Sequence, residues 1–184
     1  MEEFEKRNGQ ALLLKQRCLL LAAAMAFSAP STFAAGLTEA ALKNAVATAP
    51  DMTGAGTHRV KFKNGKHKNG SGVDAIVNTA VGDLNGDGVN DGAIVYYEEW
   101  GGSGAFMRMS VFLCKNGKPS QIGERTLGDR SNTRNLFIKK QVLTLDIMAH
   151  GPSDSANDPT VHKVLKYRVK NQKLIGPEKI NDWI

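Results

Sequence analysis

Nine residues of this chain carry its clearest chemistry: Asp83-Leu84-Asn85-Gly86-Asp87-Gly88-Val89-Asn90-Asp91. Oxygen-bearing side chains stand at positions 1, 3, 5 and 9 of the stretch, on Asp83, Asn85, Asp87 and Asp91. Gly88 stands at position 6, where an oxygen-ligand cation loop makes its sharp turn. A hard cation such as calcium takes about six to eight oxygens. This spacing brings several to one point and so predicts a Ca2+ site. The same residue types also suit a metal-free turn, because Asn, Asp and Gly tolerate positive φ. Three aspartates within nine residues repel one another without a cation, which favours the metal.

Other residues of chemical interest have plainer readings. Gly101-Gly102-Ser103-Gly104-Ala105 approaches a nucleophile elbow but lacks the last glycine, and a strand follows where a helix is required. Glu98 and Glu99 are adjacent, so on a strand they point to opposite faces and cannot act as a pair. One of them is available to face the loop cation. His150, Asp154 and Asp158 could hold a metal across a polar loop, but capping and turn roles explain them more simply. His58, His67 and His162 show no ligand spacing. Cys114 lies in the apolar run VFLC and reads as a small buried hydrophobe.

The elements around these residues read as strands and turns. Thr38 caps a short helix expected over Glu39–Val46, with Glu39 and Lys43 paired at i, i+4. Pro50 and Gly54 then break the chain. RVKFKNGKHK predicts a hairpin about Asn64-Gly65. Strands are expected at Ala75–Val81, Ala93–Trp100 and Ala105–Cys114, the last turning at Asn116-Gly117 into SQIGERTL. NLFIKKQVLTLDIMAH predicts another hairpin, and the polar loop Gly151–Thr160 separates it from VHKVLKYRVK. Asn171-Gln172 begins the last turn. The fold class expected is mainly β (α+β): an antiparallel sheet of hairpins with one short N-terminal helix, and at least six strands.

The first 34 residues differ in character. Lys15, Gln16 and Arg17 precede the apolar run Cys18–Phe27, and small residues follow. This is the pattern of a signal peptide, and the run is too short for the roughly 20 residues of a bilayer span. Cleavage is expected after Ala34, with Ala35 as the alternative end. Cys18 precedes the apolar core, which is the wrong place for a lipid-modified cysteine. Residues 35–184 are then one β-rich domain with a single cysteine, Cys114, and no internal disulfide. About 150 residues suffice for a core without one. The whole chain carries +6, of which the leader contributes +1. Lys61, Lys63, Lys66 and Lys68 alternate with other residues as the solvated face of a strand does, and no stacking pattern accompanies them. Nucleic acid is therefore not an expected partner.

Position 12 from Asp83 is Ile94, where a helix-flanked calcium loop needs a bidentate glutamate, so the loop is not an EF-hand. Gly82 to Asp91 instead resembles the strand-loop-strand core GDxNGDGxxD of FG-GAP repeats. That resemblance implies side-chain ligands at Asp83, Asn85, Asp87 and Asp91, and a carbonyl ligand at Val89. It stops at the loop, because one loop does not build a propeller. More of the chain is similar to a group of small exported bacterial proteins of unknown function. LTEAALKNA, GDLNGDGVNDGAIVY, GGSGAF, LGDR and MAHGP followed by DPT carry the likeness. Related chains often have a Cys-Cys pair before that last Pro-Thr; Asn157 and Asp158 stand there in this chain. The resemblance implies export and a single domain.

The expectation is a periplasmic or secreted, non-enzymatic domain that binds calcium and serves a protein or cell-envelope partner. Once the leader is removed it is not an integral membrane protein. The rival is a periplasmic hydrolase-like enzyme with a site near the 101–104 and 150–160 loops.

Overall fold

A computed structural model describes residues 35–51, 54–70, 72–100 and 104–177. The leader expected over 1–34 and the turn expected at Gly101–Ser103 lie outside the described residues.

The chain is mainly β, with one short helix, α1 (Glu39–Leu42), among the described residues. β1 (Val46–Pro50) and β2 (Thr57–Lys61) form an antiparallel hairpin. Five strands form a second sheet in sequence order: β3 (Lys66–Asn69), β4 (Gly72–Gly82), β5 (Asp91–Glu99), β6 (Ala105–Lys115) and β7 (Lys118–Asp129). A third sheet, also in sequence order, contains β8 (Asn132–Lys139), β9 (Val142–Ala149), β10 (Val161–Lys170) and β11 (Lys173–Ile175). Every ladder is antiparallel. No helix among the described residues is long and apolar enough to cross a membrane.

The five-stranded sheet is the middle layer. From β5 and β6, Ala93, Val95, Met109 and Val111 pack on Leu143, Leu145 and Ile147 of β9. On the opposite face, Ile94, Tyr96 and Phe112 pack beneath Leu42 of α1 and Ala47 and Val60 of the β1–β2 hairpin. A strand covered on both sides reads as a continuous apolar run, which is why AIVYY lacks polar alternation. Each large side chain buried here stabilises the fold by about 1.5–3 kcal/mol relative to exposure.

The two-residue turns follow local chemistry. Asn64-Gly65 and Asn116-Gly117 have both residues at positive φ, as a type I′ turn requires. Lys140-Gln141 and Asn171-Gln172 adopt the same conformation without glycine, at φ 51° and 59° and at 52° and 59°. The turn at Asn64-Gly65 holds through paired bonds between Lys63 and Lys66. Its flanking strands, however, enter different sheets: β2 pairs with β1, and β3 with β4.

The helix is shorter than expected. Thr38 does cap it, accepting the Ala41 N–H at 3.2 Å. Yet α1 ends at Leu42, and Val46 already belongs to β1. Ala45, Ala47 and Ala49 alternate into the core, and Val46–Pro50 takes up its ladder with Thr57–Lys61. Helix propensity amounts to only about 0.7 kcal/mol per residue or less, so this burial overrides it.

Candidate metal-binding loop

The loop joins β4 to β5 beyond their last paired residues, Gly82 and Asp91. Leu84 anchors it by turning inward, 1% exposed, into the core between the two large sheets. Around that anchor the polar side chains fold over their own backbone. Asp83 accepts the Gly86 N–H at 2.7 Å on Oδ1 and the Gly88 N–H at 3.0 Å on Oδ2. Asn85 Oδ1 accepts from the Asp87 N–H at 3.0 Å, and Asp87 Oδ1 accepts from the Val89 N–H at 2.8 Å. The Asn85 amide also donates to Asp87 Oδ2 at 2.8 Å. Gly86 and Gly88 lie at φ 84° and 80°, the left-handed turn that the sequence assigned to glycine.

Asp91 behaves differently from the other three. It is fully buried. Its Oδ2 accepts the Leu84 N–H at 3.0 Å, and its Oδ1 accepts the Cys114 N–H of β6 at 2.9 Å. Burial pushes its carboxyl above the usual carboxylate range, although these N–H bonds work in the opposite direction. Asp91 therefore fastens the loop to β6 and points into the fold.

The donor set suits a hard cation in part. Asp83, Asn85 and Asp87 are the residues whose side chains curl over the loop; the Val89 carbonyl is the ligand that the FG-GAP resemblance implies. A carboxylate oxygen that accepts one N–H keeps a second lone pair, so these bonds orient the oxygens without exhausting them. Among the described residues no three His, Cys, Asp or Glu side chains converge in metal-ligating geometry. A cation at this loop would accordingly lean on Asp83 and Asp87, the Asn85 amide oxygen, the Val89 carbonyl and water.

The remaining candidates have structural employment. Asp154 accepts the Gly151 N–H at 2.8 Å, the Thr160 N–H at 2.7 Å and the Thr160 hydroxyl at 2.7 Å. These bonds hold its carboxyl below the usual range and tie the two ends of the 151–160 loop together. His162 bonds Asp146 at 2.8 Å, and His67 Nδ1 donates to the Lys61 carbonyl at 3.0 Å. Cys114 is a half-buried free thiol, not fully buried, with Sγ 3.5 Å from the Ala35 carbonyl oxygen. Glu98 and Glu99 close the end of β5 opposite to Asp91, so neither faces the loop.

Glu98 instead belongs to a buried charge cluster that sequence reasoning missed. Arg108 of β6, 3% exposed, donates its Nε to Glu98. Its remaining N–H groups reach Glu124 Oε1 at 3.1 Å, Thr126 Oγ1 at 3.0 Å and the Pro50 carbonyl at 2.9 Å. His58 Nε2 lies 2.9 Å from the second Glu98 oxygen, and Trp100 meets the His58 ring edge-on at 4.9 Å. Burial works against the Arg108 charge, but Glu98 and Glu124 outweigh it and hold its pKa above the ordinary value. Burial raises the Glu124 carboxyl despite the neighbouring guanidinium. The cluster clamps the β1–β2 hairpin to β5, β6 and β7. The signal for it was a charged residue, Arg108, inside the apolar run AFMRMSVFLC, on the strand face shared by Ser110 and Phe112.

Compared with models of protein families, with curated proteins and with solved structures, the chain has no match.

Proposed function

We propose that this protein is an exported, non-enzymatic domain whose Asp83–Asp91 loop takes calcium to stiffen the junction of β4 and β5. One observation carries the reading: Asp83, Asn85 and Asp87 are already held over the loop by its own N–H groups, so little ordering remains for an ion to impose. The oxygen-only donor set favours calcium over softer metals. Export rests on the basic flank, apolar run and small-residue exit over Lys15–Ala34. The single FG-GAP-like loop and the likeness to small exported bacterial proteins support the same reading.

Thermal unfolding tests it. Extracellular calcium modules bind at roughly 0.1–1 mM. With about 1 mM calcium and a dissociation constant near 0.1 mM, binding to the native state adds about 1.4 kcal/mol. For a domain of this size that is a rise in Tm of about 3–6 °C over chelator. Magnesium gives up its waters reluctantly and should do less. Asp87→Ala removes a ligand and should abolish the rise. No rise and no bound metal at several millimolar calcium would reduce the loop to a turn.

A further inference from the structure

The outer face of the β8–β11 sheet carries a groove of about 730 Å3, within the usual range of ligand sites. Its apolar floor includes Phe137, Val164 and Ile175, which are 42%, 51% and 52% exposed. Lys139, Lys140, Lys166 and Arg168 also line it, and no acidic residue does. None of the four cations has a carboxylate partner among the described residues. Asp146, paired with Val164 one row beyond Thr144 and Lys166, sits at the groove's edge and is engaged by His162. Apolar side chains in water beside four uncompensated cations describe a surface complementary to something acidic and apolar.

The register says how these groups are arranged. Lys139 pairs with Val142, and Arg168 pairs with Ile175. Val142 lies one step beyond the Leu143–Tyr167 pair and therefore beside Arg168. One row across the four strands thus reads Lys139, Val142, Arg168, Ile175. The next reads Phe137, Thr144, Lys166. In the first of these rows cationic and apolar groups alternate at the strand spacing of about 4.8 Å, and the second sets Phe137 and Lys166 on either side of Thr144. A hydrocarbon chain laid across such a row would press methylenes against charged groups. A polypeptide with acidic and apolar side chains interleaved would match it. The patch spans about three strand spacings each way, roughly 200 Å2, far below the ~800 Å2 per partner of a stable protein dimer.

We propose that this groove docks a short peptide segment of another protein in which acidic and apolar side chains are interleaved. The groove is lined by none of Asp83 to Asp91, although Gln141 of the adjoining turn packs against Gly86, and the proposal stands whether or not that loop binds a metal.

Selection from a displayed library of random 12-residue peptides on the full chain tests it. The enriched sequences should carry two or more acidic residues among aliphatic or aromatic ones. Their affinity should fall at least about tenfold in the Lys166→Glu/Arg168→Glu variant, and should weaken with added salt. Phe137→Ser should also reduce it. All three positions are surface-exposed, and an unchanged Tm confirms folding. Equal enrichment on the charge-reversed variant, or enrichment of neutral or basic sequences, overturns the proposal. So does binding of vesicles containing phosphatidylglycerol with no acidic-apolar sequence enriched, which would make the face a membrane contact. A tenfold gain in peptide affinity on Trp183→Ser would give the groove to the chain's own C-terminal residues. A concentration-dependent dimer lost in the charge-reversed variant would give it to a second copy.

Discussion

Arg108→Met should cost about 3–5 kcal/mol of stability in urea unfolding, a large share of the roughly 5–15 kcal/mol that a domain possesses. The guanidinium is bonded to Glu98, Glu124, Thr126 and the Pro50 carbonyl, so its loss strands the buried Glu98 carboxylate and leaves the partly buried Glu124 carboxylate and the Pro50 carbonyl without this donor. Arg108→Lys keeps the charge but cannot reproduce the fork, and should fall between wild type and Arg108→Met. Replacing the set together, Arg108→Met with Glu98→Leu and Glu124→Leu, should recover much of the loss, because a buried ion cluster and an apolar core of similar volume are often near equal in stability. The sign of the pH dependence follows from Glu124. Burial already raises its carboxyl, and losing Arg108 raises it further. A carboxyl whose folded-state pKa exceeds its unfolded value stabilises at low pH, and that contribution is lost as pH rises through the folded-state pKa. The Arg108→Met defect should therefore be smaller near about pH 5 than near about pH 7. A single substitution costing under about 1 kcal/mol at neutral pH would show that the cluster does not clamp the hairpin.

Asp91→Ala should cost about 2–4 kcal/mol, equally in calcium and in chelator. The carboxylate is fully buried and satisfies the Leu84 and Cys114 N–H groups. An unsatisfied buried donor costs about 1–3 kcal/mol, and removal of Asp91 leaves two. Asp91→Asn supplies one acceptor but sets an amide N–H against the other donor, so it should recover part of the loss. Asp87→Ala should show the opposite pattern. That residue is exposed, so the change should move chelator stability by less than about 1 kcal/mol while removing the calcium increment. Calcium titrations of Tm for wild type and both variants check the pair. Loss of the calcium increment in Asp91→Ala, with a cooperative fold retained, would make Asp91 a ligand after all.

These two residues show how far the sequence could be read. Asp83, Asn85, Asp87 and Asp91 were grouped by spacing alone, and spacing cannot tell a side chain turned over the loop from one turned into the core. That difference depends on which backbone N–H groups β6 presents beneath the loop, a contact between residues far apart in the chain. The hairpin turns were legible because their cause is local: Asn and Gly tolerate positive φ wherever they stand. Lys140-Gln141 was found from the flanking apolar runs, not from its own chemistry. β1 was missed because ATA carries no strand signal of its own, and only burial beneath the hairpin against β5 makes it one. The assignment of β2 and β3 to different sheets was equally invisible, since the Asn64-Gly65 turn looks the same in either case. The cluster on Arg108 needed five strands to meet, and its members are spread from Pro50 to Thr126.

In both large sheets each strand lies beside its neighbours in the chain. The connections run from the two residues of Asn116-Gly117 to the eleven of 150–160. Closing a loop costs entropy that grows only with the logarithm of its length, so each ladder here is among the least expensive a sheet can form. No strand waits for a partner from the far end of the chain, and contacts that are local in sequence are the ones that form fastest. A strand that opens at one edge can re-zip against a neighbour to which it is still tethered. The long-range part of assembly is left to face-to-face docking of sheets that are already formed, and the Arg108 cluster and the Leu84 anchor sit at those seams.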